Sequence, residues 1–291
     1  MDRKLEDNLN FEQIKRAYGK SDFYQITESV LGLSLTQVLL RRQEKVPVEL
    51  VRILEKRLNG EPLQYILGEW EFYGLKFYCD KRALIPREDS EILVSATLEF
   101  IKNKKKPRVL DLCAGSGCIG VSVAKNNKNA LVTALDISSD ALDLCAKNAE
   151  RHRVSERIKL IKADIFKWTQ NKKAPYIDAV VINPPYIPTK ELKNLPLLSA
   201  EPVIALDGGE NGLKFYERVF SKGFLFNLKT SIIIAEIGAG QARAVSALIK
   251  KNKSGVVRII KDISGIERVL IYENRRNVRK FFDRPRIKST A

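Results

Sequence analysis

The sequence predicts an α/β fold in which a largely parallel sheet is covered on both faces by helices, preceded by a helical segment and a β-hairpin. Three observations predict it. From Arg108 onward, short β-branched runs alternate with helical patterns, and such alternation implies parallel strands joined by helical crossovers. Residues 1 to about 67 read as helical. Between these parts, Trp70, Phe72, Tyr73, Phe77 and Tyr78 gather around Gly74, as residues of a hairpin do.

In chain order, Val38, Leu39 and Leu40 precede a basic stretch, and Pro47 can begin the next helix. There Val51, Leu54 and Leu58 recur at helical spacing until Asn59-Gly60 stops them. After the hairpin, Ile85-Pro86-Arg87 closes the segment and a helix is expected from about Asp89. Lys102 to Pro107 is a charged, solvated linker. Strands are expected at 108–113, 131–136, 158–162, 178–183, 231–237, 256–261 and 267–273, and helices at 117–127, 139–151, 212–227 and 239–251. Only Asp262 to Ile266 separates the last two strands. That is too short for a parallel crossover, so they should pair antiparallel.

The chain has 291 residues, and its 51 Lys and Arg against 35 Asp and Glu leave a net charge of +16. This suits anionic partners, or simply solvated lysine-rich faces. No apolar run approaches a membrane span, no apolar leader is evident at the N-terminus, and a cytoplasmic monomer is expected. The four cysteines, Cys79, Cys113, Cys118 and Cys145, form no CxxC pair and read as reduced thiols. His152 is the only histidine. That count disfavours a histidine-dependent triad or a multi-histidine zinc centre, and no metal site is expected. The chemistry must come from carboxylates, amides, backbone or a cofactor.

Arg108 to Gly120 reads as strand, glycine turn, helix, with Gly115, Gly117 and Gly120 in the GxGxxG pattern and Asp136 ending the next strand. An acid there belongs on a ribose. Alone, this suits either NAD or S-adenosylmethionine. Three features favour the second. Asp111 lies before the glycines, where it can interact directly or through water with a cationic methionine end, whereas a pyrophosphate would be repelled. Asp164, with Ile165 beside it, follows the third strand, placed to accept from an adenine amino group. The fourth strand ends in Asn183-Pro184-Pro185-Tyr186. In open α/β sheets ligands sit at the carboxyl ends of strands, so these stretches should converge on one crevice.

Methyl transfer from a sulfonium to nitrogen needs in-line approach of a lone pair. In an amide or exocyclic amine that lone pair is delocalised. Two acceptors aimed at the N–H bonds can hold it toward the methyl and stabilise charge developing on nitrogen. The Asn183 side-chain carbonyl and the Pro184 backbone carbonyl can be those acceptors. Pro184 and Pro185 stiffen the loop, and Tyr186 can pack on a flat acceptor. The motif leaves the acceptor open among glutamine, adenine, cytosine and guanine.

Beyond these motifs, the chain resembles the release-factor glutamine methyltransferase family (HemK/PrmC type) over roughly residues 50–273. The resemblance rests on Gly60 to Gly68, Phe72 to Phe77, Leu84 to Glu91 (the family's IPRPETE pattern), Glu201-Pro202 through Ala205 to Gly209 with Gly212-Leu213, and Glu236-Ile237-Gly238 with Gln241. It implies methylation of the side-chain amide of the glutamine in the GGQ loop of peptide-chain release factors. It also implies a Rossmann-like methyltransferase domain of seven strands. The expected division is a helical substrate-recognition domain at 1–68, a hairpin linker at 69–88, a methyltransferase domain at 89–274 and a basic tail at 275–291. Cofactor contacts are expected from Asp111, Cys113, Ala114, Gly115, Ser116, Gly117, Asp136, Asp164, Ile165 and Asn183.

The turn departs from the family's commoner Leu-Gly-Thr-Gly-Ser-Gly at Cys113 and Ala114, and Glu88, Ser90 and Asn211 are further departures. Ser90 can be explained as a helix cap. Glu201 and Asp207 read first as structural, and Arg87 and Glu91 either as contacts to the peptide or the catalytic loop or as an ion pair fixing linker to domain. The tail from Arg275 to Lys288, with seven Lys or Arg, could touch RNA or the ribosome. The rival readings are an amino-methyltransferase acting on adenine N6 or guanine N2, and a binding module without catalysis.

Overall fold

The computed structural model describes residues 10–18, 20–169, 176–194, 200–221, 224, 230, 232–252 and 255–274. The basic tail expected at 275–291 lies outside them, as do residues 222, 223 and 225–227 of the helix expected at 212–227, of which Lys214–Val219 is helical.

Five short helices open the chain: α1 (Phe11–Tyr18), α2 (Lys20–Leu31), α3 (Leu35–Leu40), α4 (Val48–Leu58) and α5 (Leu63–Leu67). A capping box between Ser34 and Gln37 starts α3, and Gly68 in the left-handed region ends α5. On α4 the buried residues are Leu50, Val51 and Leu54, the face that helical spacing singles out. They join Phe11, Ile14, Phe23, Ile26 and Val38 in a core of their own.

Strands β1 (Glu69–Phe72) and β2 (Leu75–Tyr78) form the hairpin, with Phe72 opposite Leu75. Tyr73 and Gly74 both have positive φ, 53° and 68°, the signature of the tight turn whose twist matches two antiparallel strands. Phe72 and Phe77 are buried edge to face in the sheet core. The lone His152 donates to or accepts nothing catalytic: its Nε2 lies 2.9 Å from the Lys76 carbonyl, and burial lowers its pKa.

A 3-10 turn at Glu88–Ser90 leads into α6 (Glu91–Ile101). The sheet follows: β3 (Arg108–Leu112), α7 (Cys118–Asn126), β4 (Leu131–Asp136), α8 (Ser139–Arg151), β5 (Ile158–Lys162), β6 (Ala179–Ile182), β7 (Ile232–Glu236), β8 (Gly255–Lys261) and β9 (Glu267–Asn274). Its order is β5-β4-β3-β6-β7-β9-β8, parallel up to β7, with β9 antiparallel to both neighbours. The antiparallel final pair is as the short connection requires. Alternate residues of each central strand enter opposite cores: Val109, Ala179 and Val181 one, Leu110, Leu112, Val180 and Ile182 the other. Because β3 has β4 on one side and β6 on the other, the chain reverses direction across the sheet there. The carboxyl ends of these strands frame a crevice.

Among the described residues no helix is long and apolar enough to cross a membrane.

Candidate active site

The glycine turn comes directly off β3. Gly117 has φ 78°, and a Cβ there would stand 2.3 Å from the Cys145 sulfur on α8. Only glycine meets both conditions. Cys113 also sits in the left-handed region, at φ 57°, where the family more often has glycine. The strain of a side chain there is roughly 1–2 kcal/mol, which is offset by the half-buried thiol and by a less flexible unfolded chain. Cys113→Gly should therefore leave stability within about 1 kcal/mol and cofactor affinity unchanged. Gly117→Ala should weaken cofactor binding at least roughly tenfold. Titration calorimetry with thermal melts checks both.

Two carboxylates hold this turn. Asp136, at the end of β4, accepts from the Gly115 amide at 2.8 Å and the Ser138 amide at 2.9 Å. Burial raises its pKa, against the pull of those amide bonds. Asp111 lies beneath the turn, 1% exposed, its Oδ2 accepting from the Gly120 amide at 2.9 Å. Its Oδ1 has no hydrogen-bond partner among the described residues. Burial pushes the Asp111 carboxyl up to about 7, the Gly120 amide opposing and the Asp136 charge adding to the rise. Asn148 of α8 ties the turn to the hairpin, bonding the Ser116 carbonyl and both polar backbone groups of Tyr78.

The crevice above holds about 480 Å³. Cys113, Ala114, Gly115, Ser116, Asp136 and Ala163 to Phe166 line it, as do Arg87, Ser90, Asn183, Pro185 and Pro202 to Ala205. Asp164 and Ile165 are thus where expected, although the Asp164 Oδ1 is engaged by the Phe166 amide at 2.8 Å. Gly117 and Asp111 do not reach the wall; they shape it from behind.

S-adenosylmethionine fits this set. An unpartnered buried carboxylate oxygen under the turn favours a cationic group and disfavours a pyrophosphate. A carboxylate edge at Asp136 suits a ribose, and an apolar seat at Ala163, Ile165 and Phe166 suits a flat base.

The acceptor side is built by β6 and its exit. Asn183 donates from Nδ2 to the Ser90 hydroxyl at 3.0 Å, and Ser90 donates to Glu236 Oε2 at 2.5 Å. Ser90 is therefore no ordinary helix cap, since its hydroxyl makes no capping bond to α6. Among the described residues nothing donates to the Pro184 carbonyl. Pro184 and Pro185 are buried. The Tyr186 hydroxyl reaches Glu236 Oε1 at 3.4 Å. Glu236 ends β7, 2% exposed. Burial pushes it up to about 7, with the nearby Asp89 charge adding and the Ser90 hydroxyl opposing.

The loop is braced from behind. Gln241 Nε2 donates to the Tyr186 carbonyl at 3.0 Å, and Ile187 and Asp207 form a parallel bridge. Gly208 packs its α-carbon against the Tyr186 backbone. Asp207 accepts from Thr189 at 2.6 Å and from the Gly209 amide, a structural role even though it borders the crevice. Buried Glu201 accepts from the Ile85 amide at 3.0 Å and pairs with Arg87, tying its own segment to the one before α6. Glu91 accepts from the Tyr73 amide at 2.7 Å. Of the expected ion pairs fixing the linker, Arg87 makes one, with Glu201, whereas Glu91 holds the hairpin through a backbone amide. Sequence reasoning gave Ser90 the wrong partner and gave Glu236 and Gln241 no role. Their signals were position, at strand ends and turns, and membership in the blocks that carry the family resemblance, neither of which names a partner.

A sheet of this order, with a glycine turn after its first strand and Asn-Pro-Pro-Tyr after its fourth, defines an S-adenosylmethionine-dependent methyltransferase. Comparisons with known proteins carry this further. A family model described as methyltransferase small domain matches residues 89–196, and one described as PrmC N-terminal domain matches residues 10–68. The release factor glutamine methyltransferase of Thermodesulfovibrio yellowstonii is 37% identical over 230 residues, covering 78% of this chain and 81% of that protein. That of Aquifex aeolicus is 33% identical over 251 residues, covering 84% and 88%. Among solved structures, the hMettl16 catalytic domain in complex with MAT2A 3'UTR hairpin 6 has a TM-score of 0.56 at 13% identity, covering 69% of this chain and 76% of that one. That last likeness shows the fold alone. The chain belongs to the release factor glutamine methyltransferase family.

Proposed function

We propose that this protein methylates the side-chain amide nitrogen (N5) of the glutamine in the GGQ loop of peptide-chain release factors. The observation that carries the chemistry is the Asn183 amide: its Nδ2 is turned toward Ser90, so its carbonyl oxygen is left to accept from a substrate –NH2 at the crevice wall. Bound S-adenosylmethionine supplies an electrophilic methyl on sulfur. Asn183 Oδ1 and the Pro184 carbonyl take the two N–H bonds of the glutamine amide, which turns the nitrogen lone pair out of conjugation and toward the crevice. As positive charge grows on nitrogen, both carbonyl dipoles strengthen their hold; the methyl–sulfur bond would break with its electron pair left on sulfur, and one N–H proton would pass to solvent. The buried prolines keep this geometry fixed and exclude water. Tyr186 packs its ring beside the acceptor while its hydroxyl is held by Glu236. The cofactor is held by Cys113 to Gly117, Asp136, Asp164 and Ile165, with Asp111 acting from beneath.

Residues 1–68 form the substrate-recognition domain, 69–88 the linker and 89–274 the catalytic domain. The enzyme works as a cytoplasmic monomer, and its basic surface makes transient contact with RNA or the ribosome. The family membership and the Asn183 geometry support this reading; the +16 charge leaves a nucleic-acid acceptor as its rival. Labelled S-adenosylmethionine offered with release factor, its GGQ Gln→Ala variant, DNA and RNA decides. Label on the release factor that disappears in the variant is the expected result, and label on nucleic acid alone overturns it.

A further inference from the structure

We propose that Ser90 and Glu236 are positioning residues that fix which end of the Asn183 amide faces the substrate. The inference rests on the functional reading above. An asparagine amide has a donor end and an acceptor end of nearly equal shape, and nothing in its own torsions chooses between them. For methyl transfer only one end works, because a –NH2 facing a substrate –NH2 sets donor against donor.

Hydrogen-bond counting shows how the choice is made. A serine hydroxyl has one proton to give. Ionised Glu236 can only accept, and its Oε2 lies 2.5 Å from Ser90 Oγ, so the Ser90 proton is committed there. The Ser90 oxygen can then serve Asn183 only as an acceptor, which draws Nδ2 to it at 3.0 Å. The Asn183 carbonyl oxygen is thereby turned away, toward the substrate. Glu236 is 2% exposed and Ser90 1%, so water competes weakly for either bond. The same carboxylate also takes the Tyr186 hydroxyl on its other oxygen. One buried acid thus holds both ends of the Asn-Pro-Pro-Tyr stretch. Its position explains why the chain brings together residues from three distant segments: the 3-10 turn before α6, the end of β6 and the end of β7.

The expected behaviour is a loss of turnover without a loss of cofactor binding. At pH 8, where Glu236 is ionised, Ser90→Ala should lower kcat roughly ten- to hundredfold, the range expected when one directed acceptor is misaligned. The dissociation constant for S-adenosylmethionine, measured by calorimetry, should move less than about twofold. Ser90→Thr keeps the hydroxyl and should restore kcat to within a few-fold, which a role in packing alone would not produce. Glu236→Gln, still able to accept from Ser90, should fall between wild type and Ser90→Ala. Near-ultraviolet circular dichroism confirms that each variant is folded.

Wild-type kcat in Ser90→Ala overturns the inference, as does Ser90→Thr that is no better than Ser90→Ala. Wild-type enzyme that leaves release factor unmethylated but methylates a nucleic-acid base overturns the functional reading instead. The inference is then judged with that acceptor, since any planar –NH2 needs the same end of Asn183.

Discussion

Asn183→Ala should abolish measurable methyl transfer while S-adenosylmethionine binds within two- or threefold of wild type. The asymmetry follows from what the side chain touches. Asn183 leaves β6, the strand beside β3, and lines the crevice next to the glycine turn, but its one described hydrogen bond goes to Ser90, not to the turn. The cofactor cradle is held by other residues: Asp136 on the Gly115 amide, Asp111 on the Gly120 amide, and Asn148 on the Ser116 carbonyl. None of these depends on Asn183. What the substitution removes is one of two acceptors aimed at nitrogen as charge develops on it, and loss of one such directed group typically costs roughly 10²–10³ in kcat. The alanine also releases Ser90 from one of its bonds, which adds to the effect. The measurement is single-turnover transfer to release factor with parallel calorimetry for the cofactor. Turnover within a few-fold of wild type would mean that the nitrogen is held elsewhere. A parallel loss of cofactor affinity would mean that Asn183 belongs to the cradle.

The strands were legible because a buried parallel sheet leaves a plain mark. Ala179 to Ile182 is an unbroken apolar run, fully buried in the structure, and the prolines after it end the ladder. The expected 131–136, 158–162 and 267–273 agree with β4, β5 and β9 to within a residue. The glycine turn and Asp136 were legible for a related reason: their chemistry is local, set by a strand, a turn and a helix in sequence. The supports of the catalytic loop are of another kind. Ser90 lies 93 positions from Asn183 and 146 from Glu236, and no local pattern links them. A serine before a helix looks like a cap whatever its hydroxyl does, and a glutamate closing an apolar strand looks like a strand end. Glu201 shows the same limit from the other side. Its structural role was the favoured reading, but that its partners are Ile85 and Arg87, more than a hundred positions away, depends on the fold.

The glycines near residue 210 carry a consequence of comparable size for activity. Gly208 has no need of its backbone freedom; what it lacks is space. A Cβ at Gly208 would lie 2.7 Å from the Tyr186 α-carbon, 2.8 Å from the Tyr186 carbonyl carbon and 2.9 Å from the Gly212 α-carbon, where ordinary contact begins at 3.4 Å. All three are backbone atoms, so no rotamer change relieves the clash and the two segments must part. Several bonds resist that parting on the Tyr186 side, among them Gly208 amide to Ile187 carbonyl at 2.8 Å and Gln241 to the Tyr186 carbonyl at 3.0 Å. The prolines are stiff, so a shift at Tyr186 is carried back toward Pro184 and Asn183 rather than absorbed between them. Gly208→Ala should therefore move the acceptor carbonyls by a sizeable fraction of an ångström and lower kcat/KM roughly a hundredfold. The fold should lose only about 1–3 kcal/mol, and cofactor binding should change little, since Gly208 itself does not line the crevice. Thermal melts, calorimetry and transfer kinetics on the same preparation separate these effects. If Gly208→Ala transfers methyl at the wild-type rate, the loop is not held in register from behind, and its geometry must be set by the substrate as it binds.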